Sequence, residues 1–110
     1  MARFMVAWSL AFLTLTPAFA DTFNINVDNG ETVMLLLKIT DMNYPSPQEV
    51  FNGSINPGQM LSVHINGENG NNGHIQWTAY TADRQKCGTG DKDRLSSGAN
   101  VTVKASSSPC

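Results

Sequence analysis

Apolar and polar residues alternate along most of the chain. In TFNINV, Phe23, Ile25 and Val27 point one way while Asn24 and Asn26 point the other. The same period of two runs through QMLSVHI, where Leu61, Val63 and Ile65 form one set, and through HIQWTAYTA, where Ile75, Trp77 and Ala79 do. ANVTVKAS ends the series with Val101 and Val103. That period belongs to half-buried strands, whereas a helix repeats about every 3.6 residues. EVFNGSI reads as one more short strand. TVMLLLKIT is apolar at nearly every position, so it is either a central strand covered on both sides or a short helix; its β-branched ends and the turn before it favour the strand. The pattern predicts an all-β protein, a small antiparallel β-sandwich of about six strands.

The segments between these runs carry turn chemistry. Asn29-Gly30 suits the positive φ values of a type I′ hairpin between the first two strands. DMNYPSPQ has two prolines and no periodicity, and it reads as a loop crossing between sheets. In Asn56-Pro57-Gly58, Pro presets φ and Gly takes the position that needs φ above zero. NGENGNNG reads as a mobile hairpin tip, because Asn and Gly turn easily and are costly to order. DRQKCGTGDKDR, with mixed charges and no alternation, reads as a solvated loop.

Residues 1–20 are set apart from this pattern. Arg3, the apolar run Phe4 to Leu15 and the small residues Ala18 and Ala20 have the order of a secretory signal peptide, with cleavage after Ala20. The apolar run falls short of the roughly 20 residues of a spanning helix, and no later segment is apolar enough to span a bilayer. A transmembrane protein is therefore not expected. Residues 21–110 are expected to form a single domain that is secreted or periplasmic. Seven Lys and Arg against nine Asp and Glu give a net charge of −2, which argues against nucleic acid and its demand for a basic face. In an exported chain the two cysteines, Cys87 and Cys110, read as one disulfide. Closing a loop of about 24 residues would stabilise so small a domain by roughly 3 kcal/mol.

Residues 21 to 78 resemble the opening of the thaumatin-like proteins. The resemblance lies in DTFNINVDNGETV, then INPGQMLSVHI, then GNNGHIQW. The chain lacks that family's many cysteines, Trp77 stands two residues after Ile75 instead of next to it, and no counterpart of the family's acidic cleft is found. The same strand grammar is similar to that of the aegerolysins, small β-sandwich proteins that bind membrane lipids. Either resemblance implies a sandwich that binds a surface and does no chemistry on it.

The candidate chemistry is sparse. If QMLSVHI and HIQWTAYTA paired as a hairpin with their odd-numbered apolar sets together, His64 and His74 would share the outer face, about 5 Å apart at Cβ. They could then hold copper with Met60, or zinc if further ligands were supplied. Calcium could use Glu68, Asn69, Asn71 and Asn72, although the EF-hand spacing is absent. For binding of a surface ligand, the Asn-plus-aromatic mixture that sugars use is offered by Tyr44, Asn69, Asn71, Asn72, Gln76 and Tyr80, with Trp77 assigned to the core. Met34, Met42 and Met60 are read as packing residues. Asn52 and Asn100 match the N-glycosylation sequon. No nucleophile elbow, metal-hydrolase helix or phosphate loop appears, so an enzyme is not expected and neither is a cofactor. The function expected is a non-enzymatic module that recognises a surface glycan, lipid or protein. The alternatives are a periplasmic copper or zinc protein and an inhibitor or immunity protein of another exported protein.

Overall fold

The computed structural model describes residues 21–43 and 47–104, which form seven strands and no helix. They are β1 (Asp21–Asn29), β2 (Leu35–Asp41), β3 (Gln48–Ile55), β4 (Met60–Gly67), β5 (Gly73–Tyr80), β6 (Lys86–Leu95) and β7 (Asn100–Val103). The expected signal peptide lies outside the described residues, as does Cys110. Two sheets result, a three-stranded one in the order β4-β1-β7 and a four-stranded one in the order β3-β2-β5-β6. In the first, β1 runs antiparallel to β4 and parallel to β7, and every pairing in the second is antiparallel.

The alternation read from the sequence decides which side chains go inside. Phe23, Ile25 and Val27 of β1, Val63 and Ile65 of β4, and Val101 and Val103 of β7 are buried from one sheet. From the other come Leu35, Leu37 and Ile39 of β2, Ile55 of β3, and Ile75, Trp77 and Ala79 of β5. All belong to one hydrophobic cluster, so the two sheets share a single core in a sandwich-like arrangement. Burying apolar area at roughly 25 cal/mol per Å² is the main stabilising term for such a chain.

The pairing differs from expectation in several places, the parallel β1–β7 pair in an expected antiparallel sandwich among them. β1 and β2 are not a hairpin but lie in different sheets, and Asn29 does not take positive φ. Instead Asn29 is buried: its Nδ2 donates to Val33 O and Ile55 O, each at 2.9 Å, and its Oδ1 accepts from the Glu31 amide. The side chain organises a sheet-to-sheet crossing where the dipeptide alone suggested a tight turn. The loop after β2 joins neighbours within one sheet, since β2 and β3 pair directly. β2 is interior to its sheet but covered on one side only, with Lys38 exposed on the other. The stretch read as a solvated loop is largely β6, an edge strand paired with β5. Its charges suit an edge, where they discourage further strand addition.

Two turns follow their chemistry. Gly58 takes φ 75° after Pro57, with the Gln59 amide bonded to Asn56 O at 3.0 Å. At the tip of NGENGNNG, Asn69 and Gly70 have φ 52° and 74°, closed by paired backbone bonds between Glu68 and Asn71 of 2.7 and 2.8 Å. This Asn-Gly pair, not Asn29-Gly30, takes the two positive φ values of a type I′ turn. The tip is also tied to the β6–β7 loop through the Ser97 amide and Gly70 O at 2.8 Å.

Candidate functional site

β4 and β5 stand in different sheets, so the hairpin that would have joined His64 and His74 does not form. Their even-numbered positions do point outward as the parity argument requires, but from two sheets that face each other across the core. They therefore look out on opposite sides of the molecule. His64 donates from Nδ1 to Asn24 Oδ1 at 2.7 Å, and His74 donates from Nε2 to Asp91 Oδ1 at 2.9 Å. Met60 is exposed, so it is not a packing residue, and it lies on the His64 sheet. Among the described residues no three His, Cys, Asp or Glu side chains gather as a metal group would require.

The outer face of the four-stranded sheet gathers the most chemistry. Register places Leu36 of β2 beside Tyr80 of β5 and Ser54 of β3, and Lys38 beside Thr78 and Asn52. Lys86 of β6 stands opposite Tyr80. A groove of about 480 Å³ opens here, lined by Leu36, Leu37, Lys38, Asn52, Gly53, Tyr80 and Arg84. That is within the size range of small-ligand sites. Leu36 and Tyr80 are half-buried and supply its apolar floor, while Lys38, Asn52 and Arg84 are exposed along its rim. The Asn52 amide is oriented by donating to Glu49 Oε1 at 2.8 Å.

Arg84 is held over this groove by an unusual backbone. In the β5–β6 hairpin the Thr81 amide bonds to Gln85 O at 2.8 Å and the Arg84 amide to Thr81 O at 2.9 Å. Gln85 N donates to Thr81 Oγ1 at 3.1 Å, and the same hydroxyl also bonds Asp83. The closing residue, Arg84, has φ 70°. In a three-residue hairpin loop this left-handed slot normally belongs to Gly, and any other residue there is strained.

The other end of the same face is acidic and already paired. Asp91 accepts from Gln76 Nε2 and from His74 Nε2, both at 2.9 Å. The Gln76 bond first, and then the His74 bond and its charge, hold the Asp91 carboxyl below the usual aspartate range.

Of the residues expected to bind, Gln76 and Tyr80 are on this face. Asn69, Asn71 and Asn72 are at the tip before β5, about 20 Å or more from Tyr80 along a strand of this length; the expected site is therefore split. Tyr44 lies outside the described residues. Leu36, Lys38, Asn52 and Arg84 were missed because the sequence alone does not say that β2 pairs with β3 and β5. The signal available was the even set of β2, read as a covered face when it is half open.

Cys87 is buried at the start of β6 and no described cysteine is a free thiol. Its expected pairing with Cys110 lies outside the described residues. Among the described residues no helix is long and apolar enough to cross a membrane. The chain matches no protein-family model, and comparison with characterised proteins and with solved structures returns no similar chain. The thaumatin-like and aegerolysin-like resemblances rest on residues 21–78 alone.

Proposed function

We propose that this is a non-enzymatic binding module, a secreted or periplasmic β-sandwich that recognises a surface ligand through the outer face of its four-stranded sheet. The observation that carries the reading is the groove beside Tyr80. An aromatic ring and Leu36 form an apolar floor, bordered by an oriented amide and Lys38 on paired strands and by Arg84 in the β5–β6 hairpin loop. Such a platform binds without rearranging, which lowers the entropic cost of association. The face's carboxylate Asp91 is satisfied by two hydrogen bonds and stands at the other end. That arrangement fits recognition better than chemistry. Export after cleavage near Ala20 and a Cys87–Cys110 disulfide belong to the same proposal.

The test is retention of the protein on cell-envelope fractions, which present glycan, lipid and protein surfaces together. Tyr80→Ala should reduce retention about tenfold or more, the loss of one buried aromatic contact. A Tyr80→Ala protein that is as stable as its parent and retained equally well would overturn the assignment of this face.

A further inference from the structure

The groove beside Tyr80 has a charge character that the chain as a whole lacks. Net charge is −2, yet Lys38, Arg84 and Lys86 surround one tyrosine. Among the described residues none of the three has a carboxylate within ion-pair distance. Two acids stand nearby, Asp83 bonded to Thr81 and Glu49 accepting from Asn52, so three cations against two carboxylates leave the group a net charge of about +1. That surplus of positive charge at one end of a sheet creates a local positive field in an otherwise acidic molecule.

Arg84 gives this cluster further weight. Its left-handed backbone would be relaxed by Gly, and the hairpin needs no side chain there to close, because its bonds are made by Thr81 and the backbone of Gln85. The chain accepts strain at a position whose side chain lines the groove. Arg94 takes the same left-handed backbone, φ 55°, outside the groove lining, so Arg84 is marked by its strain only together with its place in the groove.

We infer that the groove binds an acidic glycan, its sugar ring lying against Tyr80 and Leu36 and its carboxylate or sulfate held by Lys38 and Arg84. This rests on the binding-module reading and names its ligand. The Asn52 amide donates through Nδ2 to Glu49, which leaves Oδ1 as the acceptor for a sugar hydroxyl. The forked guanidinium of Arg84 suits the planar or multi-oxygen anion of an acidic sugar. A lipid surface fits less well. Among the described residues the exposed large apolar side chains are Val33, between β1 and β2, and Met60, on the opposite sheet, so none described on this face is placed to enter a bilayer.

The experiment measures affinity for polygalacturonate and heparin, for the neutral polymers dextran and galactan, and for phosphatidylglycerol vesicles. An acidic polymer should bind at least about tenfold tighter than the neutral ones, and raising salt should weaken it. Lys38→Gln and Arg84→Gly should each cost about tenfold in affinity, the loss of one charge-assisted contact. Arg84→Gly should do so with no fall in thermal midpoint, which separates lost recognition from lost folding. Equal affinity for neutral polymers would overturn the acidic ligand while leaving the binding module intact. Failure to bind either acidic polymer, binding to vesicles alone, or acidic-polymer binding indifferent to both substitutions would overturn it as well.

Discussion

Trp77 and Gly90 face each other across the β5–β6 pairing, and the indole occupies the space where a side chain on Gly90 would stand. The large ring on one strand requires the bare backbone on the other. Gly90 does not take positive φ, so its constraint is steric and not conformational. Adding a methyl group would push Trp77 against its neighbours in the core, where it is 7% exposed. Overpacking of this kind costs about 1–3 kcal/mol. Gly90→Ala is therefore expected to lower the thermal midpoint by several degrees, roughly 4–8 °C per kcal/mol for a domain of this size. Calorimetry checks it; an unchanged midpoint would mean that the indole has room to move.

Asn29 provides a second test, of polar burial. Its Nδ2 serves two carbonyls, Val33 O and Ile55 O, and so fastens β1 to the end of β3 in the other sheet. Asn29→Asp preserves shape and the bond accepted from the Glu31 amide, yet turns a donor into a carboxylate oxygen facing two carbonyl oxygens. The expected cost is about 3 kcal/mol, that of an unsatisfied buried group enlarged by its charge. Urea denaturation should show a lower midpoint with an unchanged slope.

These two residues show what the sequence could and could not tell. Alternation correctly placed Phe23, Ile25, Val27, Val63, Ile65, Ile75, Trp77 and Ala79 inside, because each strand has one buried face. It could not say which strand lies beside which, since parity fixes a face and not a partner. Hence His64 and His74 fell on outer faces as read, but on different sheets. The Asn-Gly dipeptide occurs five times, Asn29-Gly30 and Asn69-Gly70 among them, and only at Asn69-Gly70 do both residues take positive φ. What separates them is tertiary, the two carbonyls waiting for the Asn29 amide. β6 was hidden because an edge strand buries few of its residues, and its glycines look like loop until Trp77 is seen to need one of them.

The Asp91 cluster makes a prediction about pH. Hydrogen bonds from Gln76 and His74 favour the carboxylate, so Asp91 should titrate below the ordinary aspartate value of about 3.9. A folded-state value lower than the unfolded one stabilises the protein above the unfolded value. That contribution is lost as pH falls through the folded value. Carbon-detected NMR titration of the Asp91 side chain would report it. Gln76→Ala and His74→Ala should each move the midpoint up toward the ordinary value, because each removes a hydrogen bond to the carboxylate. A midpoint that neither substitution moves would show that these bonds do not control the carboxylate.

Arg84 sets stability against recognition within one residue. A non-glycine residue in the left-handed region carries about 1 kcal/mol of strain, while glycine gains freedom in the unfolded chain by a comparable or smaller amount. Arg84→Gly should thus leave stability unchanged or raise it by up to about 1 kcal/mol. Arg84→Ala keeps the strain and removes the guanidinium, so it should be no more stable than the parent. Comparing the two by chemical denaturation isolates the backbone term, since both lack the charge. If Arg84→Gly were the less stable of the pair, the backbone at Arg84 would be relaxed as it stands. The arginine would then need no reason beyond the turn. If it is the more stable, the hairpin tolerates a weaker closure for the sake of a side chain that makes no bond of its own to the fold.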